Sequence, residues 1–448
     1  MTATTTASPG MEPTTVPPAP KPTTVPPTTE PTRPSSDVIE IAPGDVAEKY
    51  RTFVSKGRAA LGEMFGGDVE VAAEGAWLHT AAGRSLLNCG GYGVFLMGAR
   101  HPRVVTEVIR QINTNPIASR LLLEPELANA AEALVGVAPA GLERVYFAGS
   151  GAEAVEAAIK LARAQGKRHL VSMESGYHGK TLGALSVTAR EVFQAPFRPL
   201  LPEVSHVPFG DAEALEQVLR AHPGSACVIV EPIQGEAGVI LPPDGYLRDV
   251  ERLCRVHGAL FVLDEIQTGL GRVGRWWGAD AAGVTPDVLL VGKGLSGGVV
   301  PVSAMVATAA AFRPFDKDPF IHTSTFSGNP LAMAAAQGAI AAIKEDGLVE
   351  KAADLGARLR PRLAEIAESV LGHRVREVRG AGLLIGIEFT VDGLAGDLLI
   401  ELLSAGVVAN HSLNSPAVLR LTPPAILDDS EVNMLLDAFD RAARAVVS

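Results

Sequence analysis

Three short stretches carry residues whose types and spacing could do covalent chemistry on a small molecule. In "PDVLLVGKGLSGG" (286–298), Lys293 ends an apolar run between Gly292 and Gly294. Lysine is rarely buried without a partner, and flanking glycines clear room for something bulky to approach it. Its amine could condense with an aldehyde and later carry a proton between two carbons. Asp264, 29 positions earlier, closes another apolar run in "LDEIQTGLGRVG" (263–274) and offers a carboxylate at a strand end. The third stretch, "GSGAE" (149–153), joins a strand-like run to a helix N-terminus, where free N–H groups and the helix dipole favour an anion. Ser150 adds a hydroxyl there, and Gly151 lets backbone approach closely.

An amine, a carboxylate able to keep a pyridine nitrogen protonated and a phosphate cradle together suit pyridoxal 5'-phosphate. Two competing motif readings fail on spacing. Gly269, Gly271 and Gly274 have the G-x-G-x-x-G pattern of a dinucleotide-binding turn, but "EIQT" separates the strand from the first glycine. No clean helical period follows the third glycine, so a Gly-rich surface turn is expected instead. "GKG" is not a P-loop either, because Gly294 stands where serine or threonine is needed, and Asp287 stands where that loop needs its first glycine.

These residues need a scaffold of strand ends. Apolar runs at 144–149, 169–173, 226–231, 259–265 and 287–293 predict strands. Helical periods at 150–166 and 329–344 fall between them or after them, with Asn329 as N-cap and Pro330 in the first turn. The alternation predicts an α/β fold with a largely parallel sheet, and the three chemical stretches are expected on consecutive strand ends. After about residue 346, helices around "LLIGIEFT" (383–390) predict a smaller α+β C-terminal domain. The expected organisation is a tail over 1–44, an N-terminal segment over 45–95 that joins the small lobe and dimer contacts, a large domain over 96–345 and a small domain over 346–448.

The chain has 448 residues and a formal charge of −11, with 47% hydrophobic and 20% charged residues. That length suits two packed lobes. The negative balance argues against nucleic acid or an anionic membrane as a partner, since both want clustered Lys and Arg. Three cysteines without a C-x-x-C pair support neither a disulfide framework nor a zinc site. With no secretory or membrane-spanning pattern, a cytoplasmic protein is expected. Residues 1–36 hold eleven Thr and ten Pro, including "PTTVPP" twice, and predict a disordered or polyproline-like extension.

The motif set resembles the class III (ornithine/GABA-type) pyridoxal-phosphate aminotransferases of fold type I. Besides the Asp264 and Lys293 stretches, it includes "GSGAEAVEAAIKLAR" (149–163), "YHGKT" (177–181), "EPIQGEAG" (231–238), "HTSTFSGNPLA" (322–332) and "LRLTPP" (419–424). The resemblance runs from about residue 50 to the C-terminus. It implies that Lys293 holds the cofactor aldehyde, Asp264 pairs with the pyridinium and Gln267 sits by the phenolic oxygen. Tyr177 would stack on the ring, and Ser150, Gly151 and Ala152 would hold the phosphate. Thr325 would reach the phosphate from a neighbouring subunit, making a homodimer with shared sites. Arg420 would bind the acceptor's α-carboxylate, and Glu236 would pair with Arg420 when that carboxylate is absent. His178 is included with the cofactor-binding set, although a satisfied structural histidine is the plainer reading.

Three departures from the family pattern stand out. Ala152 replaces a usual threonine, and Ala99 replaces a common histidine. Lys180 in "YHGKT" replaces the arginine that faces a donor carboxylate, a position where an ammonium serves less well than a guanidinium fork. "HGK" and the stretches 177–210 and 89–102 look closest to the putrescine aminotransferase subgroup. The expected activity moves the terminal amine of a diamine to 2-oxoglutarate or pyruvate. Alternatives are an ornithine, acetylornithine, GABA or lysine donor, a bespoke aldehyde of a biosynthetic assembly, or a decarboxylase or aminomutase on the same scaffold.

Overall fold

The computed structural model describes residues 43–447. The expected disordered tail lies outside the described residues except for Pro43 and Gly44. These two open the helix Pro43–Lys49, whose first position suits the fixed φ of proline.

β1 (Glu70–Glu74), β2 (Trp77–Thr80) and β3 (Ser85–Asn88) form an antiparallel meander. The central sheet takes β4 (Arg144–Ala148), β5 (His169–Met173), β6 (Val204–Val207) and β7 (Ala226–Val230). β8 (Leu260–Asp264), β9 (Val288–Val291) and β10 (Ser303–Ala307) complete it. Near the C-terminus, β11 (Val375–Ala381), β12 (Leu384–Phe389), β13 (Val407–Val408), β14 (Asn410–Ser412) and β15 (Ser415–Leu421) follow. Four of these form an antiparallel sheet in the order β11-β12-β15-β14, while β13 leaves it to pair in parallel with β3. The N-terminal meander and the C-terminal region thus share a sheet.

The central order is β4-β10-β9-β8-β7-β5-β6. All its pairings are parallel except those of β10, which is antiparallel to both neighbours. The mainly parallel sheet agrees with the sequence pattern, but that pattern gives no sign of β10. It lies between β4 and β9, so the phosphate-cradle strand is not next to the lysine strand. β4, β8 and β9 still run in one direction, and their C-terminal ends share an edge. That edge is where open α/β sheets bind ligands.

β7, β8 and β9 are buried along their whole length, as strands covered on both faces must be. Alternate residues divide between two cores: Val228, Val230, Phe261, Leu263, Leu289 and Val291 pack on one face. Cys227, Ile229, Leu260, Val262, Val288 and Leu290 pack on the other. Each such side chain contributes about 1.5–3 kcal/mol of burial. The helix Gly151–Ala164 covers the second face with Val155, Ala158, Ile159 and Ala162, the stripe read from the sequence. Among the described residues, no helix is long and apolar enough to cross a membrane.

Candidate active site

Lys293 lies one residue beyond β9, after Gly292, and starts a short 3-10 turn, Lys293–Ser296. Its φ of 42° lies in the left-handed region that a lysine rarely adopts, a strain that neighbouring structure must hold in place. The glycine before it serves the protein rather than a ligand. A Cβ at Gly292 would fall 2.8 Å from Ser303 Oγ and 3.1 Å from Ile266 Cγ2. The room expected for an approaching molecule is filled there by protein atoms. Burial holds the Lys293 amine down at about 8, helped by the charge of Arg420 and opposed by Glu236, Asp264 and Glu231.

Asp264 is the last residue of β8, the strand beside β9. Its Oδ1 accepts from Ile266 N at 3.1 Å, and its Oδ2 accepts from His178 Nδ1 at 2.7 Å. His178 is buried, with Nε2 lacking a protein partner. Burial disfavours the imidazolium, but the Asp264 contact outweighs it and raises the ring's pKa. The neighbouring Tyr177 is half-buried, and its backbone N–H donates to Glu231 at 2.9 Å.

A cavity of about 240 Å³ opens among these elements. Lys293, Asp264, Gln267, Tyr177, His178, Lys180, Glu236, Gly151 and Ala152 all line it. Ser150, Thr325 and Arg420 are outside this lining. Ser150 is the N-cap of the helix Gly151–Ala164, its Oγ accepting from Glu153 N. The N–H groups of Gly151 and Ala152, which open that helix, have no intrahelical acceptor and are available to an anion. Thr325 is exposed in the loop before the helix Pro330–Glu345. Arg420 is fully buried on β15 behind Glu236, which its Nη1 meets at 2.7 Å, while Nε and Nη2 have no protein partner. Burial would raise the Glu236 carboxyl, but Arg420 and Lys293 bring it below the usual range. Glu236 Oε2 also accepts from Leu413 N at 3.0 Å.

The expected Gly-rich surface turn is buried instead. A Cβ at Gly269 would fall 2.7 Å from the Trp277 ring, and one at Gly274 would fall 2.8 Å from Ala353 Cα. Gly271 and Gly274 allow close packing against the helix Leu348–Leu371, and Arg272 fixes the turn by donating to the carbonyls of Leu383, Pro423 and Gly93. Sequence reading missed Arg272 and also Glu231, whose buried carboxyl lines the cavity and is pushed up to about 7. Glu231 stands at the start of "EPIQGEAG", and an acid ending an apolar run was the available signal.

The residues present suit pyridoxal phosphate. Gln267 Oε1 and Nε2 are buried in the wall without protein partners, an orphaned amide that a polar ligand atom would satisfy. A lysine amine, a carboxylate, an aromatic side chain and a helix N-terminus face the same space. Among the described residues there is no cluster of three or more His, Cys, Asp or Glu able to hold a metal ion.

The profile of the family described as aminotransferase class-III matches residues 68–443. Solved structures agree with it. The ornithine aminotransferase of Toxoplasma gondii, whose active site is partially occupied by pyridoxal phosphate, is 31% identical with a TM-score of 0.83, covering 90% of this chain and 95% of that one. The ornithine delta-aminotransferase of Plasmodium falciparum is 30% identical with a TM-score of 0.78, covering 90% and 99%. An (S)-enantioselective omega-transaminase of Thermomicrobium roseum is 26% identical with a TM-score of 0.83, again covering 90% and 99%. With the family profile spanning most of the chain and a cavity whose residues suit the cofactor, this protein belongs to the class-III aminotransferases and is a pyridoxal-phosphate-dependent enzyme.

Proposed function

We propose that the enzyme moves the terminal amine of an ω-amine donor, a diamine such as putrescine, to 2-oxoglutarate or pyruvate. The observation that carries this reading is the buried Glu236–Arg420 pair at 2.7 Å beside Lys293. While the pair is closed, the guanidinium is neutralised and the pocket accepts an amine without an α-carboxylate. A 2-oxo acid would take the unpartnered Arg420 donors in a bidentate contact, with Glu236 swinging aside. Lys180 in place of an arginine fork supports a donor that brings no distal carboxylate.

When bound, pyridoxal phosphate supplies an aldehyde and an electron-withdrawing pyridinium ring. Lys293 would hold that aldehyde and, as the free neutral amine, move the proton between substrate and cofactor carbons. Asp264 would keep the proton on the pyridine nitrogen, with His178 fixing the carboxylate's rotation. Tyr177 would cover one ring face, and Gln267 would donate to the phenolic oxygen. Ser150, Gly151 and Ala152 would hold the phosphate. Thr325, exposed and away from this chain's cavity, fits a phosphate contact across a homodimer. The pairing of β13 with β3 supports placing 45–95 with the small lobe, 346–448.

A second reading, an ornithine-type donor, is favoured by the 30–31% identity to two ornithine aminotransferases and by the positive charge that Lys180 retains. Single half-reactions with putrescine, cadaverine, lysine, ornithine, acetylornithine and GABA separate the two. The diamine reading expects putrescine to discharge the lysine-bound cofactor's absorbance fastest, and a larger rate for ornithine or GABA refutes it.

A further inference from the structure

We infer that Phe193 is a specificity-determining residue: its ring docks the Lys180 ammonium and keeps that cation from reaching the donor's distal end. Lys180 lines the cavity at an exposed position, and its Nζ lies 4.0 Å from the centroid of the Phe193 ring. Among the described residues, Lys180 forms no ion pair. Two nearby acids are engaged elsewhere. Glu156 accepts from Thr181 Oγ1, Gly183 N and Ala184 N, and Glu191 pairs with Arg198. The aromatic face is therefore the partner of this lysine.

The arrangement is built from both sides. The three contacts of Glu156 fix the backbone immediately after Lys180. On the other side, the buried Gln194 donates to the carbonyls of Leu185 and Thr188, at 3.0 Å each. This holds the turn Glu191–Gln194, with its Phe193, against the helix Leu182–Val187. Ring and ammonium are thus tied to opposite ends of one short helix. A neutral ring holds the cation weakly and leaves its charge intact. A carboxylate partner would instead cancel that charge. Lys180 is then a docked cation, and Phe193 sets how often it swings toward a donor.

This rests on the reading that the Lys180 side of the cavity receives the donor's distal end, but it does not require putrescine to be the donor. The test compares 4-aminobutanoate, which carries a carboxylate there, with butylamine, which carries nothing. Phe193→Leu keeps the apolar bulk and removes the ring. The ratio of kcat/KM for 4-aminobutanoate over butylamine should rise about 2- to 5-fold, the range expected for an exposed cation–π contact. Phe193→Trp, the stronger ring, should lower it. In a Lys180→Met background, Phe193→Leu should leave the ratio unchanged.

Equilibrium binding of the unreactive pentanoate, followed by calorimetry, should tighten by a similar factor in Phe193→Leu and not in the double variant. An unchanged ratio and unchanged pentanoate affinity in Phe193→Leu would overturn the inference. So would an equal shift in the double variant, since Phe193 would then act through pocket shape. An enzyme that ignores putrescine yet shows the Phe193→Leu shift would lose the diamine reading and keep this one.

Discussion

His178 Nδ1 donates to Asp264 Oδ2 at 2.7 Å, and both side chains are buried. An ionised carboxylate only accepts, so the shared proton belongs to the imidazole. Asp264 Oδ1 is held separately by Ile266 N, so each oxygen has one protein donor and the carboxylate cannot rotate freely. The histidine that looked structural in the sequence orients the acid at the end of β8.

His178→Leu removes a charge-assisted hydrogen bond worth about 1.5–3 kcal/mol. Turnover should fall roughly 10- to 100-fold, with weaker cofactor retention. His178→Asn places an amide donor near the Nδ1 position and should recover part of the loss. Equal activity of the Leu and Asn variants would show that the bond does not position Asp264.

Free Lys293 should react as a neutral amine well below the usual lysine range, because burial holds it down at about 8. A group depressed in this way is protonated below about 8 and neutral above it. Uptake of pyridoxal phosphate by the apoenzyme, followed by absorbance, should accelerate about tenfold per pH unit up to that point and then level off. A rate still climbing at pH 10 would mean the amine is not desolvated.

Gly235 has no room for a side chain, since a Cβ there would overlap Gln267 Oε1. The end of a glutamine can move, so Gly235→Ala should fold and displace the Gln267 amide from the cavity wall. Cofactor affinity should drop by about tenfold, the cost of one hydrogen bond, with little change in the apoenzyme's Tm. Unchanged affinity would argue that Gln267 does not meet the cofactor.

Glu236→Ala leaves the buried Arg420 charge without its 2.7 Å partner. Donors without an α-carboxylate should suffer most, while ligands bringing a carboxylate replace the lost anion. A selectivity change of at least about tenfold is expected, since unpaired buried charges cost several kcal/mol. Equal losses for both donor types would remove the basis for a gate.

Glu265 makes stability depend on pH. Its buried carboxyl is pushed up to about 7 by desolvation, although Thr268, Ala279 and Gly278 donate to it. The folded form therefore keeps a proton that the unfolded chain loses near its ordinary value, and stability should fall as pH rises from about 4.5 to 7. Chemical denaturation of Glu265→Gln should show a shallower decline over that window. An identical slope would place the proton elsewhere.

Local order was legible in the sequence because it depends on near neighbours. Apolar runs marked β4, β5, β7, β8 and β9, and the helical stripe Val155, Ala158, Ile159 and Ala162 marked its buried face. Asp264 and Lys293 each close such a run, so their strand-end positions followed from adjacent residues alone. The strand order was not legible, because it depends on which crossovers bring distant segments together. Hence β10 between β4 and β9 was missed. The same limit hid the roles of the glycines. Gly292 yields to Ser303 and Ile266, and Gly274 yields to Ala353, 79 residues on.

The chain by itself determined the chemical types at the site: an amine, an acid, an aromatic side chain and a helix N-terminus, each fixed by residue identity and local pattern. Only the tertiary structure decided how they are tuned. The His178 bond to Asp264 and the 2.7 Å closure of the Glu236–Arg420 pair join segments far apart in the chain, while the desolvation of Lys293 and the Phe193 contact of Lys180 follow from how their elements pack. Burial and distance set the strength of a charge, and both are properties of packing rather than of composition.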